Sequence, residues 1–245
     1  MPDPVLVVVA AAAALWGAAA GGALPRALYR FCVPADEAWR TRCPAGHPLR
    51  GWLGRSRCGP CGGAAYGSRG GGLAVVTGSV CALLALATGT RPELAVWLLL
   101  APAGVLLAAV DLRVKRLPDP LTLPLAGAAL ALLGPVALLP EHAGRWTTAL
   151  LGSLALGAGY LVLFLISPGS MGFGDVKLAL GAGAVLGWYG WPAVMLGTFA
   201  GFVLGALYGG ALVVAGRAGR KSAIPFGPFL LAGTCLGLLT GAYAA

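Results

Sequence analysis

The stretch LALGAGAVLGWYGWPAVMLGTFAGFVLGALYGGALVVAG, residues 178–216, runs for 39 residues without one charged side chain. A membrane crossing takes about 20 apolar residues, so this run holds two. The break falls at WYGWP (188–192), where interfacial aromatics and a helix-breaking proline mark a turn at a membrane surface. Working outward, Pro4–Pro25, Leu94–Val110, Pro120–Pro140, Trp146–Gly174 and Ser222–Ala245 are also free of charge. The predicted spans are 5–24, 73–89, 94–110, 120–139, 147–166, 176–188, 192–215 and 225–244. The sixth is short. Composition agrees: 58% of the residues are hydrophobic and 10% charged, where a soluble domain is about one-quarter charged. The chain reads as an all-α polytopic membrane protein with about eight transmembrane helices in the lipid bilayer.

The net charge of +9 raises the question of a nucleic-acid partner, and its distribution answers it. With the N-terminus outside, 15 of the 17 basic residues fall on the cytoplasmic side. Eight lie in 25–72, followed by Arg113, Lys115, Arg116, Lys177, Arg217, Arg220 and Lys221. Arg91 and Arg145 remain outside. That is the positive-inside pattern, so the charge is a topology signal and no nucleic acid is expected. MPDPVLVVVAAAAALWG lacks a basic n-region and carries its positive flank after the apolar run. It therefore reads as a retained first helix rather than a signal peptide. The expected division is a first helix over 1–24, a cytoplasmic subdomain over 25–72 and a seven-helix membrane catalytic domain over 73–245. Residues 25–72 are too few for a substantial core and call for a staple such as a metal.

That segment supplies candidates. RCPAGHPLRGWLGRSRCGPCGG places Cys43, His47, Cys58 and Cys61 at C-x3-H-x10-C-x2-C spacing, a Cys3His set suited to tetrahedral zinc in a closed, structural site. Cytoplasmic thiols rarely form disulfides, and no βαβ pattern surrounds CGPC to suggest a thioredoxin-like pair. Cys32, Cys81 and Cys235 lack partners at ligand spacing and read as packing residues.

The acidic residues are Asp3, Asp36, Glu37, Glu93, Asp111, Asp119, Glu141 and Asp175. Most fall in predicted loops, where a solvated role is expected, as it is for His142. Two differ. Asp111 ends the uncharged run 94–110, and Asp175, in MGFGDVKLALG (171–181), ends the run 146–174. The predicted topology brings both to the cytoplasmic side at similar depth. Ionisable groups at membrane depth point to function. Two close carboxylates share a proton, the chemistry of aspartic proteolysis. Gly172 and Gly174 permit unusual backbone angles and close approach of a peptide. The structural alternatives are an interfacial pairing of Asp111 with Arg113 or Lys115, and a helix-start role for Asp175. No G-x-S-x-G, H-E-x-x-H or P-loop occurs, which leaves serine, zinc-protease and nucleotide-driven chemistry without support.

The chain resembles the prepilin peptidases, membrane aspartic proteases that process type IV pilin-like precursors. GGALPRALYRFCVP (21–34, including Arg30), DLRVKRLPDPLTLP (111–124), GFGDVKLALGAGAVLG (172–187) and IPFGPFLLAG (224–233) carry the resemblance. It implies cleavage of a prepilin or pseudopilin just after a glycine in its basic leader, at the cytoplasmic face of the bacterial inner membrane. It assigns Asp111 and Asp175 catalytic roles and Lys177 a supporting one. Residues two apart do not face each other on a helix, so no Asp175–Lys177 pair is expected. Many members carry two C-x2-C pairs and also methylate the new N-terminus with S-adenosylmethionine. Here CGPC is intact, but CPAGH lacks the second cysteine of the first pair, with His47 as the substitute ligand. No fingerprint for S-adenosylmethionine occurs.

Two readings from other classes compete: a proton-coupled transporter using the intramembrane aspartates, and a zinc-bearing scaffold with structural aspartates. The chain has no repeated half-sequence, and both acids lie at helix ends rather than mid-span, which argues against transport. Asp111→Asn would leave a scaffold working.

Overall fold

The first helix, α1 (Pro4–Ala23), starts where the Asp3 carboxylate accepts a hydrogen bond from Val5 N at 3.0 Å and a proline takes the first helical position, both favoured there. The computed structural model describes residues 3–34, 37–68, 70–168, 171–217 and 224–245. Among these residues eight further helices follow: α2 (Pro25–Phe31), α3 (Gly71–Thr88), α4 (Glu93–Val114), α5 (Asp119–Val136), α6 (Trp146–Ile166), α7 (Phe173–Trp188), α8 (Trp191–Val214) and α9 (Gly227–Ala244). A two-stranded antiparallel ribbon, β1 (Arg57–Cys58) with β2 (Ala64–Ala65), lies between α2 and α3.

Seven helices (α1, α3, α4, α5, α6, α8 and α9) are long and apolar enough to cross a membrane. The protein is a multi-pass, all-helical membrane protein. The remaining predicted span is α7, with 16 residues, about 24 Å long against a hydrocarbon core of about 30 Å. It begins at Phe173 rather than the predicted 176, which draws Asp175 into its first turn. Its shortness has a physical basis. α5, α6, α8 and α9 all pack on it, and Val176, Leu178, Ala179, Ala182, Leu186 and Trp188 are among its buried residues. A helix sheathed by protein need not match the bilayer by itself. α8, by contrast, turns Met195, Phe199 and Leu207 outward.

The chain forms two compact units. The first comprises residues 1–90 and 97–116, the second 91–96 and 117–245. In the first, α1 packs on α3, and Gly17 makes this possible: an added Cβ would sit 2.6 Å from the Thr77 carbonyl oxygen. Cys81, fully buried, fills the same contact. In the second, α6 and α7 meet across Gly152, where an added Cβ would sit 2.6 Å from Gly183 O. Small residues buy this closeness, in lipid as in water.

Several charged residues sit differently from expectation. Glu93 is not a solvated loop acid. It is fully buried at the start of α4, accepting hydrogen bonds from Ala143 N and Tyr189 Oη, each at 3.3 Å. Asp3 and Asp119 are exposed as expected, and each has a further contact: Asp3 caps α1 and Asp119 is ion-paired. His142 is half-buried, donating from Nδ1 to Leu139 O at 2.6 Å. Asp36, Arg69, Arg220 and Lys221 lie outside the described residues.

Several arginines of 25–72 hold that segment together. Arg30, 9% exposed, donates to Arg40 O (3.0 Å) and Gly51 O (2.7 Å) and lies 3.9 Å over the Trp52 ring. Arg26 reaches Arg50 O at 2.6 Å. Phe31 stacks on Trp52 and meets Trp39 edge-on. These contacts organise a segment with almost no regular structure to satisfy its carbonyls.

Candidate active site and metal centre

The Cys/His cluster is built from two tight turns. In the first, Cys43 N donates to His47 O and Gly46 N to Cys43 O, each at 2.9 Å, with Gly46 at φ +83°. In the second, β1 ends at Cys58 and the chain folds back so that Gly63 N donates to Cys58 O at 2.9 Å. The positive φ at Gly46 and Gly63 favours glycine. These turns bring together all four ligands read from the sequence. Their ligand atoms lie within 4.8 Å of one another. His47 Nδ1 is 3.1 Å from Cys61 Sγ, 3.6 Å from Cys43 Sγ and 3.8 Å from Cys58 Sγ, and Cys43 and Cys61 are 4.0 Å apart. Two sulfurs each 2.3 Å from a tetrahedral zinc are about 3.8 Å apart, so the four atoms fit around one such metal.

The thiols of the cluster perturb one another. Burial pushes the Cys43 thiol up, but hydrogen bonds from the His47 amide and ring, the Ala45 amide and Cys58 outweigh it and bring it down to about 6. The hydrogen bond with Cys58, burial and the neighbouring Cys43 push Cys61 up to about 11. One thiolate thus suppresses the next, a conflict that a central divalent cation removes. The cluster could hold a metal such as zinc, and with four protein ligands the site would be closed and structural.

The two aspartates belong to different units, Asp111 to the first and Asp175 to the second. Both are buried, at 4% and 7% exposure. α4 continues past its predicted end at 110 to Val114, so Asp111 lies inside its last turn, just before Lys115 turns the chain at φ +51°.

Asp175 occupies the third position of α7. Its Oδ2 accepts from Gly172 N at 3.2 Å, while its own N–H donates to Gly172 O at 3.0 Å. This reciprocal pair closes the first turn and fixes the carboxylate. The helix-start role and a held orientation come from the same bond. Neither glycine uses the conformational freedom expected of it. Gly172 is extended at φ −78°, ψ 146°, and Gly174 is helical. Gly174 instead admits a neighbour: an added Cβ would lie 2.8 Å from Leu117 Cβ.

Lys177 has a partner the sequence did not reveal. Its Nζ lies 2.7 Å from Asp119 Oδ1 at the start of α5 and 5.0 Å over the Phe173 ring. It makes no ion pair with Asp175 within 4.0 Å among those described. Leu117 on Gly174 and Asp119 on Lys177 thus hold the start of α5 against the start of α7. One signal pointed there. Lys177 is the only cation between Arg145 and Arg217, and an isolated cation at a helix start calls for an acid on a neighbouring helix.

The family model for the type IV leader peptidase family matches residues 97–210, a span that includes both aspartates. A prepilin leader peptidase/N-methyltransferase of Burkholderia pseudomallei (strain 1026b) is 35% identical over 243 residues, covering 91% of this chain and 72% of that protein. The chain belongs to the type IV leader peptidase family. It is therefore a peptidase. Relatives of the same name from Klebsiella pneumoniae (36% identical; 68% of this chain, 72% of the relative) and Aeromonas hydrophila (35%; 69% and 56%) are also similar. No solved structure matches the chain.

Proposed function

We propose that this membrane peptidase is an aspartic endopeptidase that removes the basic leader of type IV prepilin-like precursors, prepilins or pseudopilins. In this reading the cut falls after a glycine, on the cytoplasmic side of the bacterial inner membrane, with the N-terminus of the chain outside. The carrying observation is that the family match over 97–210 includes two buried acids, Asp111 and Asp175. Burial of a carboxylate among apolar helices is costly without a use. The ionised acid takes a proton from water as that water adds to the scissile carbonyl, and the protonated acid gives its proton to the carbonyl oxygen.

Supporting roles follow from the contacts. Gly172 orients Asp175 through its amide, Gly174 admits Leu117, and Lys177 clasps Asp119. Residues 25–72 act as a cytoplasmic subdomain held by a structural zinc on Cys43, His47, Cys58 and Cys61, and 73–245 form the catalytic domain. His47 supplies the ligand that the missing cysteine would have given. The relatives' names carry a methyltransferase, and transfer of a methyl group from S-adenosylmethionine to the new N-terminus is the second activity to test.

The test is intact-mass analysis of a type IV prepilin, one that a related leader peptidase cuts, incubated with the purified protein and S-adenosylmethionine. Loss of the leader with wild type but not with Asp111→Asn is expected, and an added methyl mass would establish the second activity. Cleavage by Asp111→Asn at the wild-type rate would sink the dyad and return the aspartates to a structural or transport role.

A further inference from the structure

α6 and α7 run antiparallel, and their glycines fix the register. Gly152 faces Gly183, and Gly157 faces the Leu180 side chain. Continued along the hairpin, this register sets residue 160 about level with 175–177, the first turn of α7. Tyr160 and Asp175 are thus offset along the helix axis by no more than about 3 Å, two residues of rise.

Tyr160 is 1% exposed, and its hydroxyl has no hydrogen-bond partner among the described residues. The ring is clamped by Phe202, stacked at 5.7 Å between centroids, and by Phe226 at 6.0 Å, which touch each other at 5.3 Å. A phenylalanine would fill this aromatic slot as well, without burying an unsatisfied O–H. The hydroxyl is the feature that packing leaves unexplained. Lys177, the one cation on that turn, is committed to Asp119.

We propose that Tyr160 is a further catalytic residue, whose O–H donates a hydrogen bond to the scissile carbonyl oxygen of the peptide presented to Asp175. The inference rests on the aspartic peptidase reading above. As the water oxygen bonds to the carbonyl carbon, the C=O π pair moves onto oxygen, which receives the proton of the protonated acid. The water's proton passes to the ionised acid. Tyr160 keeps its own proton throughout and stabilises the charge developing on that oxygen, where a donor already in place acts most strongly.

Tyr160→Phe retains the ring and removes only the donor. With the same prepilin and the purified full-length protein, kcat is expected to fall about 10²-fold, with KM unchanged. The unfolding midpoint in detergent should stay level or rise, because an unsatisfied buried hydroxyl has gone. Wild-type kcat would overturn the proposal, as would a rise in KM alone. A fall in kcat accompanied by a lower unfolding midpoint would overturn it too, by making the hydroxyl structural. Asp175→Asn, assayed alongside, separates the two levels of inference. If that variant cuts, the aspartic reading itself fails; if it is inactive while Tyr160→Phe is fully active, only the role of Tyr160 fails.

Discussion

The Cys/His cluster and the first turn of α7 are both small groups of reactive side chains, yet they are assembled by opposite means. Cys43, His47, Cys58 and Cys61 arrive within 19 residues of chain, each placed by the turn beside it. Around Asp175, only the Gly172 amide is local. Leu117 and Asp119 come from the start of α5, and α6 packs along the length of α7. A site made by local turns fails locally when a ligand is lost. One made by helix packing fails through residues far away in sequence, because interiors at crystal-like density transmit a misfit.

The largest effect tests the α7 side of this contrast. Asp175→Asn should lower cleavage by at least about 10³-fold, and Asp111→Asn likewise, measured as the rate of leader loss. An asparagine oxygen can still accept from Gly172 N, so the unfolding midpoint of Asp175→Asn should hold. A lowered midpoint would make the acid mainly a cap. Next comes Gly183→Val, which has no chemistry of its own. Its side chain must displace the Gly152 backbone, at about 1–3 kcal/mol, and cleavage and thermal stability should fall together. Unchanged cleavage would break the claim that packing places the site.

Cys58→Ser should act locally. Metal analysis is expected to give about one zinc per wild-type chain and almost none for the variant. Limited proteolysis should then open residues 40–66, with cleavage reduced less than by either aspartate variant. A folded wild-type protein free of metal would remove the staple from the account. The smallest effect belongs to Asp119→Asn. Its carboxylate is 61% exposed, and exposed pairs contribute about 0–1 kcal/mol. A loss of a few-fold, mimicked by high salt and recovered in the charge-swapped Asp119→Lys, Lys177→Asp double variant, would identify the clasp. An equal loss in the swapped protein would exclude it.

Much of this was legible in the chain. Uncharged runs named the membrane crossings, because lipid penalises charge residue by residue and needs no partner to do so. WYGWP marked the α7–α8 boundary for the same local reason, and α8 begins at Trp191. The four members of the Cys/His cluster could be named because a tight turn fixes the distance between residues two to four apart. Asp111 and Asp175 stood out as rare acids at the ends of long apolar runs.

Other features were invisible because they depend on which helix meets which. Glu93 looked like a loop acid until Tyr189 and Ala143 closed over it. Gly174 read as a residue needing unusual backbone angles, but it is helical and gives room to Leu117. Lys177 had only the supporting role that the resemblance implies, and no physical partner, until Asp119, 58 residues upstream, reached it. Tyr160 carried no motif, and its meaning lies in the register of α6 on α7. The sequence by itself determined the membrane class, seven of the apolar spans, the Cys/His cluster and the two rare acids, since each follows from a side chain's own transfer energy or from its nearest neighbours along the chain. The tertiary structure alone decided what surrounds those acids, since packing joins residues that share no sequence neighbourhood.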